Sequence, residues 1–202
     1  EDALWIDTRR GLVRYADLFV RHRPGSDVAL LMGMCRVIVD EGLHDEDFIS
    51  ERCENHGEFL DSLKQFDLKT VENLTGVPAD RIVKAARMFA ANGPSSILYA
   101  MGITQHTHGT DNVMATANLA RLTGNVGKPS CGVNPLRGQS NVQGACDLGG
   151  LPNVYPGYQK VSDPSVRERF QEAWGVDGLD DTPGLTHLEI FNAIHDGTVK
   201  AL

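Results

Sequence analysis

The stretch from Pro78 to Asn125 constrains the fold more than any other part of this chain. Pro78 stands where the first turn of a helix belongs, because that turn has no use for the N–H that proline lacks. Ile82, Ala85, Ala86 and Phe89 then recur at helical spacing, and Asn92-Gly93-Pro94 ends the run. Residues 96–101 read as a strand, broken by Gly102. A polar loop follows to Gly109. A second helix opens near Thr110-Asp111, carries Val113, Met114, Ala117, Leu119, Ala120 and Leu122, and stops at Gly124-Asn125. Helix, strand, loop, helix is the rhythm of an open α/β sheet, whose ligands bind beyond the carboxyl ends of its strands. The loop at 102–109 lies at such an end, and residues 8–10 after the apolar segment 4–6 lie at another.

The remaining segments extend this pattern. Residues 15–20 form a second apolar segment. Pro24-Gly25-Ser26-Asp27 breaks the chain and caps a helix over 28–40, whose Leu30, Leu31, Met34, Val37 and Ile38 make an apolar stripe stopped by Gly42. Short helices are expected near 46–54 and 70–76, and longer ones over 164–174 and 185–195. Glu1 opens the chain without a Met, and residues 197–202 look like a strand cut short, so both ends read as truncations.

With 202 residues the chain holds one ordinary domain or two small ones. Its net charge of −8 argues against general nucleic-acid binding. Arg9, Arg10, Arg14, Arg21 and Arg23 nevertheless crowd one region, either as a solvated face or as a local attraction for phosphates. No apolar run is long enough to span a bilayer. Cys35, Cys53, Cys131 and Cys146 form no CxxC pair, so no zinc or iron–sulfur motif is present and no metal ligand is expected. Reduced thiols in the cytoplasm are the default reading.

From Gly124 to Gly157 the periodic pattern gives way to Gly, Asn, Gln and Pro. Long irregular segments inside compact domains are usually functional. Gly132, Gly138, Gly144, Gly149 and Gly150, interleaved with amides and Arg137, suit backbone held close to a polar ligand. A structural crossover between two domains fits the same composition.

The strings YAMGITQHTHGTDNV, LARLTGNVGKPSCGVNPLRGQSNVQGACDLGGLPNVYPGYQ and RPGSDVALL resemble catalytic subunits of formate dehydrogenases, in the molybdopterin oxidoreductase superfamily. The resemblance implies an internal fragment of an enzyme that oxidises formate to carbon dioxide and passes two electrons to an iron–sulfur relay. It implies a molybdenum or tungsten ion held by two molybdopterin guanine dinucleotides, and a [4Fe-4S] cluster upstream of this chain. It implies Rossmann-like dinucleotide-binding open sheets with flanking helices, residues 1–139 ending one such α/β domain and 140–202 beginning its sister. Arg137 of the RGQ motif is implied to hold formate, and Gln139 to lie against the pterin. Met101, Gly102 and Gln105 are implied to line a dinucleotide, and Asp7, Arg9, Gly25 and Asp27 to contact its guanosine part, with Thr8 where the family has Pro. The metal-ligating Cys or selenocysteine and its adjacent His are expected upstream, so this fragment by itself is expected to be inactive. Implied partners are formate, the remainder of the polypeptide, and iron–sulfur or diaphorase-type subunits, with no nucleic acid and no membrane contact. Two other readings share the resemblance: a formylmethanofuran dehydrogenase-like enzyme, and a complex I-like scaffold without the pterin. The retained Arg137-Gly138-Gln139 favours the enzyme over the scaffold.

Overall fold

A computed structural model describes residues 5–8 and 11–14 as backbone, and residues 16–201 in full. The chain divides into two compact units, Glu1–Leu136 and Arg137–Leu202.

The N-terminal unit opens with an antiparallel hairpin of β1 (Trp5–Thr8) and β2 (Gly11–Arg14), in register Trp5↔Arg14 to Thr8↔Gly11. Five helices follow: α1 (Asp27–Asp40), α2 (Glu46–Arg52), α3 (His56–Leu63), α4 (Leu68–Thr75) and α5 (Ala79–Ala91). Then come β3 (Ser96–Tyr99), the single turn α6 (Met101–Thr104), α7 (Gly109–Leu122) and β4 (Gly132–Pro135). β3 and β4 pair in parallel, Ser96 opposite Gly132 and Tyr99 opposite Pro135, so α6 and α7 form the crossover of a βαβ unit. One more bond, from the Leu136 N–H to the Tyr99 carbonyl at 2.7 Å, extends the pairing.

α1 is the hub, packing against α4, α5 and α7. Cys35, Ile38, Leu63, Ala86, Ala115 and Leu119 make one buried cluster, and Leu30, Val71, Val77 and Ile82 a second. Burying each large aliphatic side chain contributes about 1.5–3 kcal/mol. Local chemistry sets the helix ends. The Asp67 carboxylate accepts from the Thr70 N–H at 3.0 Å to start α4, and Gly76, at φ +72°, takes the left-handed turn that stops it.

The C-terminal unit holds α8 (Val142–Asp147), the two-residue strands β5 (Val154–Tyr155) and β6 (Gln159–Lys160), α9 (Pro164–Trp174) and α10 (His187–His195). β5 and β6 form an antiparallel turn, Tyr155 opposite Gln159. Tyr155 stacks on Phe170 at 4.8 Å, and Phe170 lies 4.9 Å from Trp174. Thr186 and Glu189 close a capping box on α10.

The sheets among the described residues have two strands each. The chain is therefore α/β with a parallel βαβ unit, and a complete Rossmann-like sheet is not displayed. Several local expectations change. The strand at 96–101 ends at Tyr99, and α6 occupies the start of the polar loop, because the Gln105 N–H bonds back to the Met101 carbonyl at 2.9 Å. α3 was not expected. It starts after Asn55, which holds a left-handed backbone, and buries Leu63. The irregular stretch from 124 to 157 contains β4 and α8, whose signals are tertiary pairing and glycine-rich turns rather than apolar period. Residues 16–20 and 197–201 form no strand. Pro78 is the N-cap of α5, one position ahead of its expected place.

Candidate functional site

The parallel pair fixes where a ligand can approach the N-terminal unit. α6 leaves the carboxyl end of β3 at once, and α7 begins five residues later. Gly109 opens α7 so close to α6 that any β-carbon there would collide with the Thr104 carbonyl. Asn112, fully buried, ties the corner by donating from Nδ2 to the Ile103 carbonyl at 2.8 Å. The His106 ring bonds the Gly102 carbonyl through Nε2 at 3.0 Å and lies 5.3 Å from the His108 ring.

A second corner meets this one. Gly25 has φ +81°, which a side chain rarely adopts, and a β-carbon on it would stand 3.9 Å from His108 Cε1. Asp27 follows as the first residue of α1 and is 5% exposed. One carboxylate oxygen, Oδ1, bonds His22 Nε2 at 3.0 Å. Ser26 does not cap α1 with its side chain; its hydroxyl donates to the Arg23 carbonyl at 2.6 Å. Beside this corner a pocket of about 390 Å³, lined in part by Arg23, Gly25, Ser26 and Phe66, opens to solvent.

Three buried polar atoms here have no hydrogen-bond partner among the described residues: Asp27 Oδ2, His108 Nε2 and Asn112 Oδ1. A buried acceptor without a donor is expensive, and native proteins rarely leave one so. Met101 and Gln105 are exposed at the same end of β3, and the Gln105 side chain has no partner among the described residues. The structure thus brings Gly25, two residues ahead of Asp27, near His108, and places Met101, Gly102 and Gln105 in the adjoining corner. His22 and Asn112 were missed from sequence. Asn112 carried a signal, a polar residue inside the apolar stripe of α7. Asp7 is described only as backbone, opposite Leu12 in the hairpin, and Arg9 lies outside the described residues.

Arg137 and Gln139 belong to the C-terminal unit, in an exposed loop ahead of α8. Arg137 makes no hydrogen bond or ion pair among the described residues. α8 is held by tight glycine contacts. A β-carbon on Gly144 would meet the Asn141 side chain at 2.5 Å, and one on Gly150 the Ala145 carbonyl at 2.7 Å.

The cysteines divide by environment. Burial pushes the Cys35 thiol up to about 12, as suits a packing residue in α1. Cys146 is half-buried on α8, and Cys131 donates to the Lys128 carbonyl at 3.1 Å. Among the described residues no group of three or more His, Cys, Asp or Glu is arranged to hold a metal ion. No described helix is long and apolar enough to cross a membrane.

Residues 4–202 match the family model described as molybdopterin oxidoreductase. Formate dehydrogenase H of Escherichia coli strain K12 is 45% identical over 188 residues, 93% of this chain and 26% of that protein. The F420-dependent formate dehydrogenase 2 subunit alpha of Methanococcus maripaludis is 45% identical over 179 residues, 89% of this chain and 26% of that protein. The chain thus spans about a quarter of the length of these curated relatives. Among solved structures, acetylene hydratase from Pelobacter acetylenicus is similar at TM-score 0.55 and 31% identity, over 57% of this chain and 16% of that one.

Proposed function

The chain belongs to the molybdopterin oxidoreductase family, and from that premise we propose that it is part of the catalytic subunit of a formate dehydrogenase. The observation that carries the reading is Arg137: an exposed guanidinium without a partner among the described residues, on a loop ahead of α8. Formate is a small planar anion. A guanidinium presents a fork of N–H donors that matches its two oxygens and stays charged at any working pH. Arg137 therefore binds and orients formate and moves no proton itself. A molybdenum or tungsten centre with two molybdopterin guanine dinucleotides would supply the two-electron redox chemistry when bound, with an iron–sulfur relay as the electron acceptor in this reading.

The residues present fit such a dinucleotide. Asp27 Oδ2 is a buried acceptor without a donor among the described residues, and the N–H edge of a guanine base is a donor of the kind it lacks. His108 Nε2 can bond a polar edge in the same corner, and Gly25 leaves the approach clear. Met101, Gly102 and Gln105 extend the surface beyond β3, as expected for a ligand at the carboxyl end of a parallel strand. In this reading Asp7 and Arg9 complete the guanosine contacts and Gln139 lies against the pterin. Residues 1–139 and 140–202 belong to sister Rossmann-like domains, the [4Fe-4S] cluster sits elsewhere in the polypeptide, and iron–sulfur or diaphorase-type subunits accept the electrons.

Arg137→Lys in the full-length subunit tests the reading. Metal content should stay near normal, because Lys keeps the charge. Formate oxidation should fall on the order of 100-fold, because the planar fork that fixes both oxygens is gone. Arg137→Ala should fall further. A Lys variant with full metal loading and a wild-type rate would make Arg137 a structural loop residue.

A further inference from the structure

The loop that carries Gly25 and leads into Asp27 is built before any ligand arrives. Arg23 commits its polar groups to the end of α4. Its N–H donates to the Thr75 carbonyl at 2.9 Å, and its guanidinium donates to the Asn73 carbonyl at 2.6 Å. A β-carbon on Gly76 would stand 3.2 Å from Arg23 Nε, so the guanidinium lies against the turn that ends α4. The Arg23 carbonyl in turn accepts from the Ser26 N–H at 3.1 Å and from the Ser26 hydroxyl at 2.6 Å. These bonds fix the backbone from 23 to 26 without help from the His22 ring.

His22 has a different partner. Its ring reaches across this loop to Asp27, Nε2 to Oδ1 at 3.0 Å. A carboxylate only accepts, so Nε2 carries the proton and donates it. The Asp27 side chain is 7% exposed and the His22 side chain 27%, so the bond runs inward from the edge of the fold. An Asp carboxylate is otherwise broadly free about χ2. Gripped at Oδ1, it loses that freedom, and the position of Oδ2 is set. Oδ2 is buried and has no hydrogen-bond partner among the described residues. A buried carboxylate oxygen left without a donor is costly, so the oxygen that His22 orients is one that a ligand donor would satisfy.

We propose that His22 is a positioning residue: its ring holds Asp27 Oδ1 so that Oδ2 meets the N1–H and N2–H edge of a guanine base, and it thereby sets the preference of this corner for guanine. This rests on the reading of Asp27 as a guanosine contact.

The test uses the full-length subunit prepared without its cofactor, with GMP and CMP as probes in equilibrium dialysis. Both probes carry a ribose phosphate, and only GMP has the adjacent pair of N–H groups. Wild type should bind GMP about tenfold more tightly than CMP. His22→Leu should raise the Kd for GMP about tenfold and leave that for CMP within about twofold. An unchanged Kd for GMP would overturn the proposal. So would equal losses for the two probes, which would make the ring a structural brace. His22→Gln puts an amide donor within similar reach and should keep the Kd for GMP within about threefold. A tenfold loss there would overturn the proposal even if the Leu variant does not fold. In an Asp27→Asn background, His22→Leu should change the Kd for GMP by less than about twofold, because the group it positions is gone. A further tenfold loss would show His22 acting apart from Asp27. The wild-type result separates the two readings. If wild type binds GMP no better than CMP, the reading of Asp27 falls and takes this inference with it; if it prefers GMP and His22→Leu keeps that preference, only the role of His22 falls.

Discussion

The two units of this chain are stabilised in different ways. In the N-terminal unit Cys35, Ile38, Val71, Ile82, Ala86 and Ala120 have no solvent exposure at all. In the C-terminal unit no described residue is buried, and Leu148, Trp174, Leu188 and Phe191 are each at least half exposed. The first unit wraps α4, α5 and α7 around α1 and so closes an apolar core. The second holds its shape with short-range devices: the capping box of α10, the Asp163 cap of α9, and the aromatic stack of Tyr155, Phe170 and Trp174. Core packing is cooperative and resists substitution poorly; local caps act one by one.

Substitutions at matched positions put this contrast to the test. Ile38→Ala removes a fully buried side chain from the larger cluster and should cost about 2–5 kcal/mol, read as a lower denaturation midpoint of the 202-residue chain. Phe191→Ala, on the exposed face of α10, should stay within about 0.5 kcal/mol. Equal losses at the two positions would mean that the C-terminal unit shares a core the contrast denies it.

A gentler change sharpens the point. Gly33 sits in α1 where a β-carbon would press the Val71 methyls at 2.8 and 2.9 Å. Val71 is wholly buried and stiff about χ1, so it has nowhere to go. Gly33→Ala should destabilise by about 1–3 kcal/mol, overriding the better helix propensity of Ala. In the C-terminal unit Gly138→Ala meets nothing within 4 Å and should leave the unfolding midpoint unchanged.

The smallest effect is electrostatic. Arg87 clamps Glu41 at 2.8 and 2.7 Å, joining α5 to the end of α1 across the surface. That hydrogen bond and charge hold the Glu41 carboxyl below its ordinary 4.5 and the Arg87 guanidinium above its own. Asp163 and Glu189 in the C-terminal unit are likewise held low, by the cap bonds of Ser165 and Thr186. A depressed carboxyl stabilises above its unfolded pKa, and the effect fades as pH falls through the folded one. Both units should therefore weaken below about pH 4. Salt separates them: Arg87→Gln should lower Tm slightly in dilute buffer and not at all in about 1 M NaCl, where the ion pair is screened. Substituting the Asp163 cap should lower Tm equally in both.

Much of this architecture was legible in the residues. The stripe of α1, the Pro78 start of α5, the Gly124 stop after α7 and the Pro164–Trp174 helix follow from periodicity and end signals, because these are local properties of a helix. The site was legible only in part. Gly25, Asp27, Gly102 and Gln105 stood out through motif and strand-end position, and the family match extends over residues 4–202.

What the sequence determined by itself is the longer helices, the residues that start and stop them, and the family, since each rests on near neighbours or on a string of residues. The tertiary structure alone decided that β4 pairs with β3, across more than thirty residues separating Tyr99 from Pro135. It alone brought His108 to Gly25 and left Asp27 Oδ2 buried without a donor among the described residues. Such contacts join residues far apart in the chain, and no local period or propensity encodes which distant backbone will arrive there.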